Sequence, residues 1–125
     1  EAAWPSWTII NSKTEAIYKV PIRSIYFLFA PFPWDVKKKI HYIGMFDAFI
    51  YLILVFLILK NIKIIWNNPV TRIILIILLS YILTYSFGVG NFGTGIRHRS
   101  KFVIILILLA APSIKRYIFT KNQIK

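Results

Sequence analysis

Apolar positions in this chain fall into three long runs rather than into short alternations. The first covers about 43–59 and is broken only by Asp47; the second covers about 73–89. The third begins at Phe102, stays apolar to Pro112 and extends towards 118. A helix crossing a bilayer needs roughly 17–25 residues, so the first two runs qualify once their flanks are counted. The third must carry Pro112 and either tilt or let Lys115 and Arg116 reach back to the interface. The pattern predicts an all-α integral membrane fold. Region 41–125 would hold about three transmembrane helices (43–59, 73–89 and 102–118), behind an N-terminal region, 1–40.

The flanks agree with membrane boundaries. Lys37, Lys38 and Lys39 precede the first run, Lys60 and Lys63 follow it, and Arg72 opens the second. Trp34, Tyr42, Trp66 and Tyr117 stand near the boundaries, where amphipathic rings favour the headgroup level. Asn67-Asn68-Pro69 reads as a turn. In the N-terminal region, Pro21, Pro31 and Pro33 argue against a long uninterrupted helix, and Ile22 to Phe29 is too short to span. Ser24 to Trp34 is therefore expected to be an interfacial or re-entrant piece, with Phe32 and Trp34 at the surface. An ordinary connecting loop held by aromatics is the competing reading.

Composition sharpens the membrane expectation. The 125 residues are 58% hydrophobic, yet carry 16 Lys or Arg against 4 acids, for a net charge of +12. As a soluble domain such a chain would expose large apolar patches. The charge suits either nucleic acid or anionic headgroups. The basic residues are spread among hydrophobic runs instead of forming one soluble face, which argues against nucleic acid. Orientation is not decided by charge: nine basic residues fall to one face and seven to the other, too even for the positive-inside bias. The chain has no cysteine, so disulfide and thiolate chemistry are absent. It opens Glu1-Ala2-Ala3-Trp4 with Met45 its one methionine, so a C-terminal fragment of a longer protein is expected.

If the first two spans are antiparallel neighbours, the start of one and the end of the other share a face. That face would gather Ala30 to Asp35, Lys37 to Lys39 and the stretch Gly88 to Lys101. Four of the five glycines, Gly88, Gly90, Gly93 and Gly95, lie within eight residues there, followed by Arg97, His98 and Arg99. Glycine permits left-handed backbone and close approach to a ligand, and successive N–H groups can form an anion-binding nest. A guanidinium holds a phosphate through two parallel hydrogen bonds. Gly93, Gly95, Arg97, His98 and Arg99 are thus candidate phosphate-binding residues. The competing reading is a flexible turn whose basic residues sit among lipid phosphates. The GxGxxG formed by Gly88, Gly90 and Gly93 does not indicate a dinucleotide fold, because no βαβ unit surrounds it. No metal-ligand cluster or nucleophile triad is visible, and no cofactor is implied.

Asp47 is the sharpest single residue. A carboxylate within a span costs about 2.5–3.5 kcal/mol on insertion scales and normally faces the bundle or a water-filled cavity. Gly44, Asp47, Ala48 and Tyr51 share one helical stripe, and Ser80, Thr84 and Gly88 form another on the second span. Asp47 lies about 9 Å from His41 along the helix. Two roles are open to it: pairing with Arg97 or Arg99, or acting as a catalytic general base.

Phe29-Ala30-Pro31-Phe32-Pro33-Trp34, two spans, and then Asn91-Phe92-Gly93-Thr94-Gly95-Ile96-Arg97-His98-Arg99 resemble the C-terminal end of certain polytopic membrane proteins. These are encoded in bacterial exopolysaccharide, capsule and O-antigen clusters and are described as glycosyltransferase-like or polymerase-like. The resemblance covers roughly residues 25 to 112. It implies a multi-pass protein of the bacterial cytoplasmic membrane that handles polyprenyl-diphosphate-linked saccharides, with further transmembrane helices alongside. In that setting Arg97 and Arg99 would hold the diphosphate, Pro31 to Trp34 would pack beside the lipid tail or a sugar, and Asp47 would orient the arginines or accept a proton. Two other classes remain: a small non-catalytic subunit that packs on a partner and binds anionic headgroups, and a channel or transporter piece with a water path through Asp47.

Overall fold

The computed structural model describes residues 3–36 and 39–122, with the side chains of residue 40 and of 114–122 left aside. Among these residues the secondary structure is helical throughout, and strand-like pairing is limited to one bridge between Ala3 and Asn91. The helices are α1 (Lys13–Phe29), α2 (Ile40–Lys60), α3 (Ile62–Asn67), α4 (Pro69–Gly88), α5 (Phe92–Arg99) and α6 (Val103–Asn122). Expectations attached to Lys37 and Lys38, and to the side chains of Lys115 and Arg116, lie outside the described residues.

The three apolar runs each became a helix. In α2 the buried positions are His41, Gly44, Ala48, Tyr51, Leu54 and Ile58, followed by Asn61, a spacing of three and four that defines one stripe. Leu75, Leu78, Ile82 and Ser86 do the same on α4, and Phe102, Leu106, Leu109 and Ala110 on α6 and its entry. These stripes meet in a single core that also takes in Tyr26, Phe27 and Leu28 from α1. At the far end of the bundle the Asn61 Nδ2 donates to Ser113 Oγ, which in turn donates to the Leu57 carbonyl at 2.8 Å.

Outside the stripes the helices stay apolar. Phe46, Phe49 and Phe56 on α2, and Ile73, Leu83 and Phe87 on α4, are all more than half or nearly half exposed. By length and composition α2 and α4 are the two described helices able to cross a membrane, and only 28% and 22% of their apolar windows lie inside the bundle. Helix α6 carries Pro112 in its interior.

Two expectations need correction. Pro21 does not break the N-terminal region: α1 runs through it for 17 residues. Its missing N–H orphans only the Ile17 carbonyl, and Ile17 and Pro21 both lie on the exposed side. Ser12 supplies the start, its hydroxyl accepting from the Glu15 N–H at 3.2 Å, while Glu15 accepts from the Asn11 N–H. The segment Ser24 to Trp34 is consequently not one surface piece. Its first half is the packed end of α1, and only the part after Ala30 is irregular, with a short turn at Pro33–Asp35. The second correction concerns residues 88–101. They are not a glycine loop but mostly helix α5, and no described residue has positive φ.

Candidate functional site

Asn91 explains why the glycine-rich stretch is helical. Its Oδ1 accepts from the N–H groups of Gly93 at 2.8 Å and Thr94 at 3.4 Å, capping the first turn. Within the helix, Phe92, Gly95, Ile96 and Arg99 form the inward face, and Gly93 and Arg97 face out. Gly95 faces inward, where an added Cβ would make only ordinary contact with Val89 Cγ1 at 3.7 Å and the Trp4 ring at 3.9 Å. Gly93 is exposed and serves the capped turn rather than an anion nest.

Arg99 is fully buried. Its Nε and Nη2 donate to Asp47 Oδ2 at 2.9 and 2.7 Å. Nη1 donates to the carbonyls of Leu28 at 2.9 Å and Ala30 at 2.7 Å, and Nη2 also approaches Gly44 O at 3.3 Å. The guanidinium lies 5.0 Å from the Tyr51 ring centroid. One side chain thus ties the carbonyl end of α1, the start of α2 and the end of α5 together. A helix C-terminus is the place where such a cation is favoured. The donors that spacing offered to a phosphate are occupied, so the phosphate-binding reading of Arg99 is replaced by a positioning one. Arg97 and Arg99 point to opposite sides because two helical residues are about 200° apart, whereas in a loop they could act together. Of the two roles open to Asp47, pairing is the one the geometry shows.

Arg23, which the sequence offered only as one charge among many, is a second buried cation. Its Nε donates to Ser86 O at 2.6 Å, Nη1 to Thr8 O at 3.0 Å and Nη2 to Val89 O at 2.5 Å. It caps the carbonyl end of α4 as Arg99 caps that of α1, and it lies 5.1 Å from the Trp4 ring. The signal for it was a lone arginine within the stretch Ile22 to Phe29.

The remaining candidates sit around this frame. Arg97 and Lys101 are exposed, about one turn apart, and Lys39 is exposed at the start of α2. His98 stacks on Tyr85 at 4.6 Å, with its Nδ1 buried and lacking a hydrogen-bond partner among the described residues. Burial, with Lys101 and Arg97 nearby, holds its pKa below the ordinary imidazole value. Phe32 stacks on Trp34 at 4.8 Å and meets Tyr26 edge-on, and Trp34 is 73% exposed. His41 packs edge-on to Phe92. The shared face expected from topology is therefore present: Ile96 and Pro31 both press on Gly44. Ser80 and Thr84, in contrast, are exposed and donate to the carbonyls of Ile76 and Ser80, away from Asp47.

Beside this cluster an apolar groove of about 590 Å³ runs between the end of α1, the Pro33 turn and α2. Among the described residues no group of three His, Asp or Glu side chains could hold a metal ion. No family model, curated protein or solved structure matches the chain.

Proposed function

We propose that the chain is a multi-pass protein of the bacterial inner membrane that serves surface-polysaccharide assembly by binding polyprenyl-diphosphate-linked saccharides. The observation that carries this reading is the placement of Arg97 and Lys101. Arg97 stands exposed on α5, whose position is fixed by Arg99, and Lys101 stands exposed on the 3-10 turn Ser100–Phe102 that follows it. Cations held outward in this way suit a diphosphate. Membrane residence is supported by the outward faces of α2 and α4, since apolar helices buried over less than a third of their windows need lipid to cover them.

In this reading Arg97 and Lys101 hold the diphosphate, with Lys39 and His98 adding donors. Arg99 and Asp47 hold α5 in register, and Phe32 and Trp34 mark the interface. The test is native mass spectrometry of gently purified protein. An Arg97→Ala/Lys101→Ala variant is compared with wild type and with Lys60→Ala/Lys63→Ala at the opposite end. A polyprenyl-diphosphate species kept by wild type and the control, and lost in the first variant, supports the reading. Ordinary phospholipids held equally by all three would overturn it.

A second reading is a non-catalytic subunit that packs on a partner and binds anionic headgroups. It is favoured by the pairing of Asp47 with Arg99, which gives that carboxylate a structural partner. The outward stripe of Ser80, Thr84 and Gly88 on α4 also suits close approach of another helix. Equal tolerance of Arg97→Lys and Arg97→Ala would favour this alternative.

A further inference from the structure

We infer that α1 is a re-entrant helix: its second half dips into the bilayer from the face that carries α5, meets acyl chains along its outer side, and the chain leaves by the same face. The inference rests on the membrane residence proposed above and adds a lipid-facing surface to those of α2 and α4.

The two apolar helices give a depth scale. His41, at the start of α2, packs on Phe92 of α5, and a Cβ on Gly44 would lie 2.9 Å from Ile96 Cδ1. Helix α4 ends at Gly88, just before α5 begins. The start of α2 and the end of α4 therefore share the α5 face. Against α4, rising residue numbers in α1 meet falling ones: Arg23 donates to the Val89 carbonyl, Ser24 Oγ lies 2.9 Å from Ser86 Oγ, and Phe27 stacks on Tyr85. Helix α1 thus descends from that face. It ends beside Asp47, since the one Arg99 side chain donates both to Ala30 O and to Asp47 Oδ2. From Ile40 to Asp47 is about 10 Å along α2, a third of a hydrocarbon core about 30 Å thick. From there the chain climbs back. Pro31 Cδ lies 3.0 Å from the place of a Gly44 Cβ, and Pro33 shares a cleft with Tyr42.

The helix can stop at this depth because protein covers its polar end. Non-helical backbone within a membrane survives only where protein or water satisfies it. Ala30 is 3% exposed and the Pro31 side chain is fully buried. The carbonyls of Leu28 and Ala30 accept from Arg99, and Asp47 balances the guanidinium. Charge segregates along α1 in the same sense. Lys13, Glu15 and Lys19 lie in its first two turns, Arg23 is turned inward to backbone carbonyls, and residues 24–34 carry no charge. On the outer side Pro21 and Ile25 are exposed, Ile25 by 51%. This apolar side continues the outward faces of α2 and α4. Acyl chains, which need neither donor nor acceptor, are the partner it fits.

Single cysteines can report this, because the chain has none of its own. The experiment uses the whole chain in bacterial spheroplasts, treated with a membrane-impermeant maleimide before and after permeabilisation. The variants sit at exposed positions: Lys13→Cys, Ile25→Cys, Lys39→Cys, Ser100→Cys and Lys63→Cys. Those at 13, 39 and 100 should be labelled from one side and that at 63 from the other. Ile25→Cys should react at least about tenfold more slowly than Lys13→Cys from either side, because a thiol in lipid does not ionise. In parallel, a phospholipid with a diazirine in its acyl chain should photolabel residues 21–25 of the unmodified protein. Labelling of Lys13→Cys and Lys39→Cys from opposite sides would show that α1 crosses, and overturn the inference. So would an Ile25→Cys as fast as Lys13→Cys, which would put α1 in water. Photolabelling confined to α2, α4 and α6 would overturn it too, by showing that a protein partner covers this side. These three results leave membrane residence standing. Labelling of Lys39→Cys and Lys63→Cys from one side would show that α2 does not cross, and membrane residence and this inference would fall together.

Discussion

Arg99 grips Asp47 from two of its nitrogens, Nε and Nη2, both on the same carboxylate oxygen at 2.9 and 2.7 Å. The two partners are unequally placed: the Arg99 side chain is 1% exposed and that of Asp47 34%. Arg99 also serves the carbonyls of Leu28 and Ala30. Its removal should therefore cost about 3–5 kcal/mol, the usual penalty for breaking a buried ion pair. Asp47→Asn, at a partly wetted site, should cost only about 1–2 kcal/mol. Arg99→Lys should resemble Arg99→Ala, because an ammonium cannot reach a carboxylate and two carbonyls from one plane. Unfolding followed by helicity in detergent would measure the order, and an Asp47→Asn loss as large as that of Arg99→Ala would refute it.

Arg23 supports a different junction, and its loss should be felt locally. With Ser86, Phe87 and Val89 carbonyls all turned to its guanidinium, Arg23→Ala leaves the end of α4 unsatisfied. The cost should be at least about 2 kcal/mol, since each bond to a charged donor is worth roughly 1.5–3. Amide exchange should quicken first at Val89, which bonds Tyr85 O, and at Trp4, which bonds Gly90 O. Unchanged protection there would mean that the α4 end does not depend on this arginine.

The contrast between these two arginines shows where sequence reasoning reached. Helices α2, α4 and α6 were legible because lipid-compatible runs are long and one-signed, and the stripe from Gly44 to Tyr51 was legible because helical spacing is regular. The inward face of Asp47 followed from the cost of an unpaired carboxylate in an apolar run. What failed were judgements resting on residue type alone. Gly93 and Gly95 suggested a loop, but the Asn91 cap starts a helix there. Asn91, standing two residues before Gly93 at a helix start, was the available signal. Pro21 suggested a break, but on an exposed face it costs one hydrogen bond that nothing buried needs. Arg23 carried no periodic signature, since its partners are backbone carbonyls more than sixty residues away.

His98 should make stability depend on pH. Burial lowers its folded pKa below the ordinary imidazole value of 6.5, so between those two values the unfolded chain binds the extra proton. Stability is therefore complete above about pH 6.5 and falls as the pH drops through that value, levelling once the folded pKa is passed. His98→Gln should flatten this segment of the profile, as read by melting temperature from pH 5 to pH 8. A wild-type profile identical to that of the variant would show that the imidazole is not shielded.

Gly44 sets the spacing of the whole cluster, and substitutions there separate two opposing effects. Alanine in place of glycine inside a helix gains about 0.8–1 kcal/mol of propensity. At Gly44, however, the added Cβ would lie 2.9 Å from Ile96 Cδ1 and 3.0 Å from Pro31 Cδ. Overpacking of this kind costs about 1–3 kcal/mol, so Gly44→Ala should be net destabilising. Gly88→Ala, with nothing within 4 Å of its new methyl, should be neutral or slightly stabilising. Ile96→Val removes Cδ1, so the double variant Gly44→Ala/Ile96→Val should recover part of the loss with a coupling of at least about 0.5 kcal/mol. Recovery should stop short of wild type because the Pro31 ring cannot rotate away. Strict additivity of the two single variants would mean that α2 and α5 are not held at this separation, and the face built on Arg97 would lose its frame.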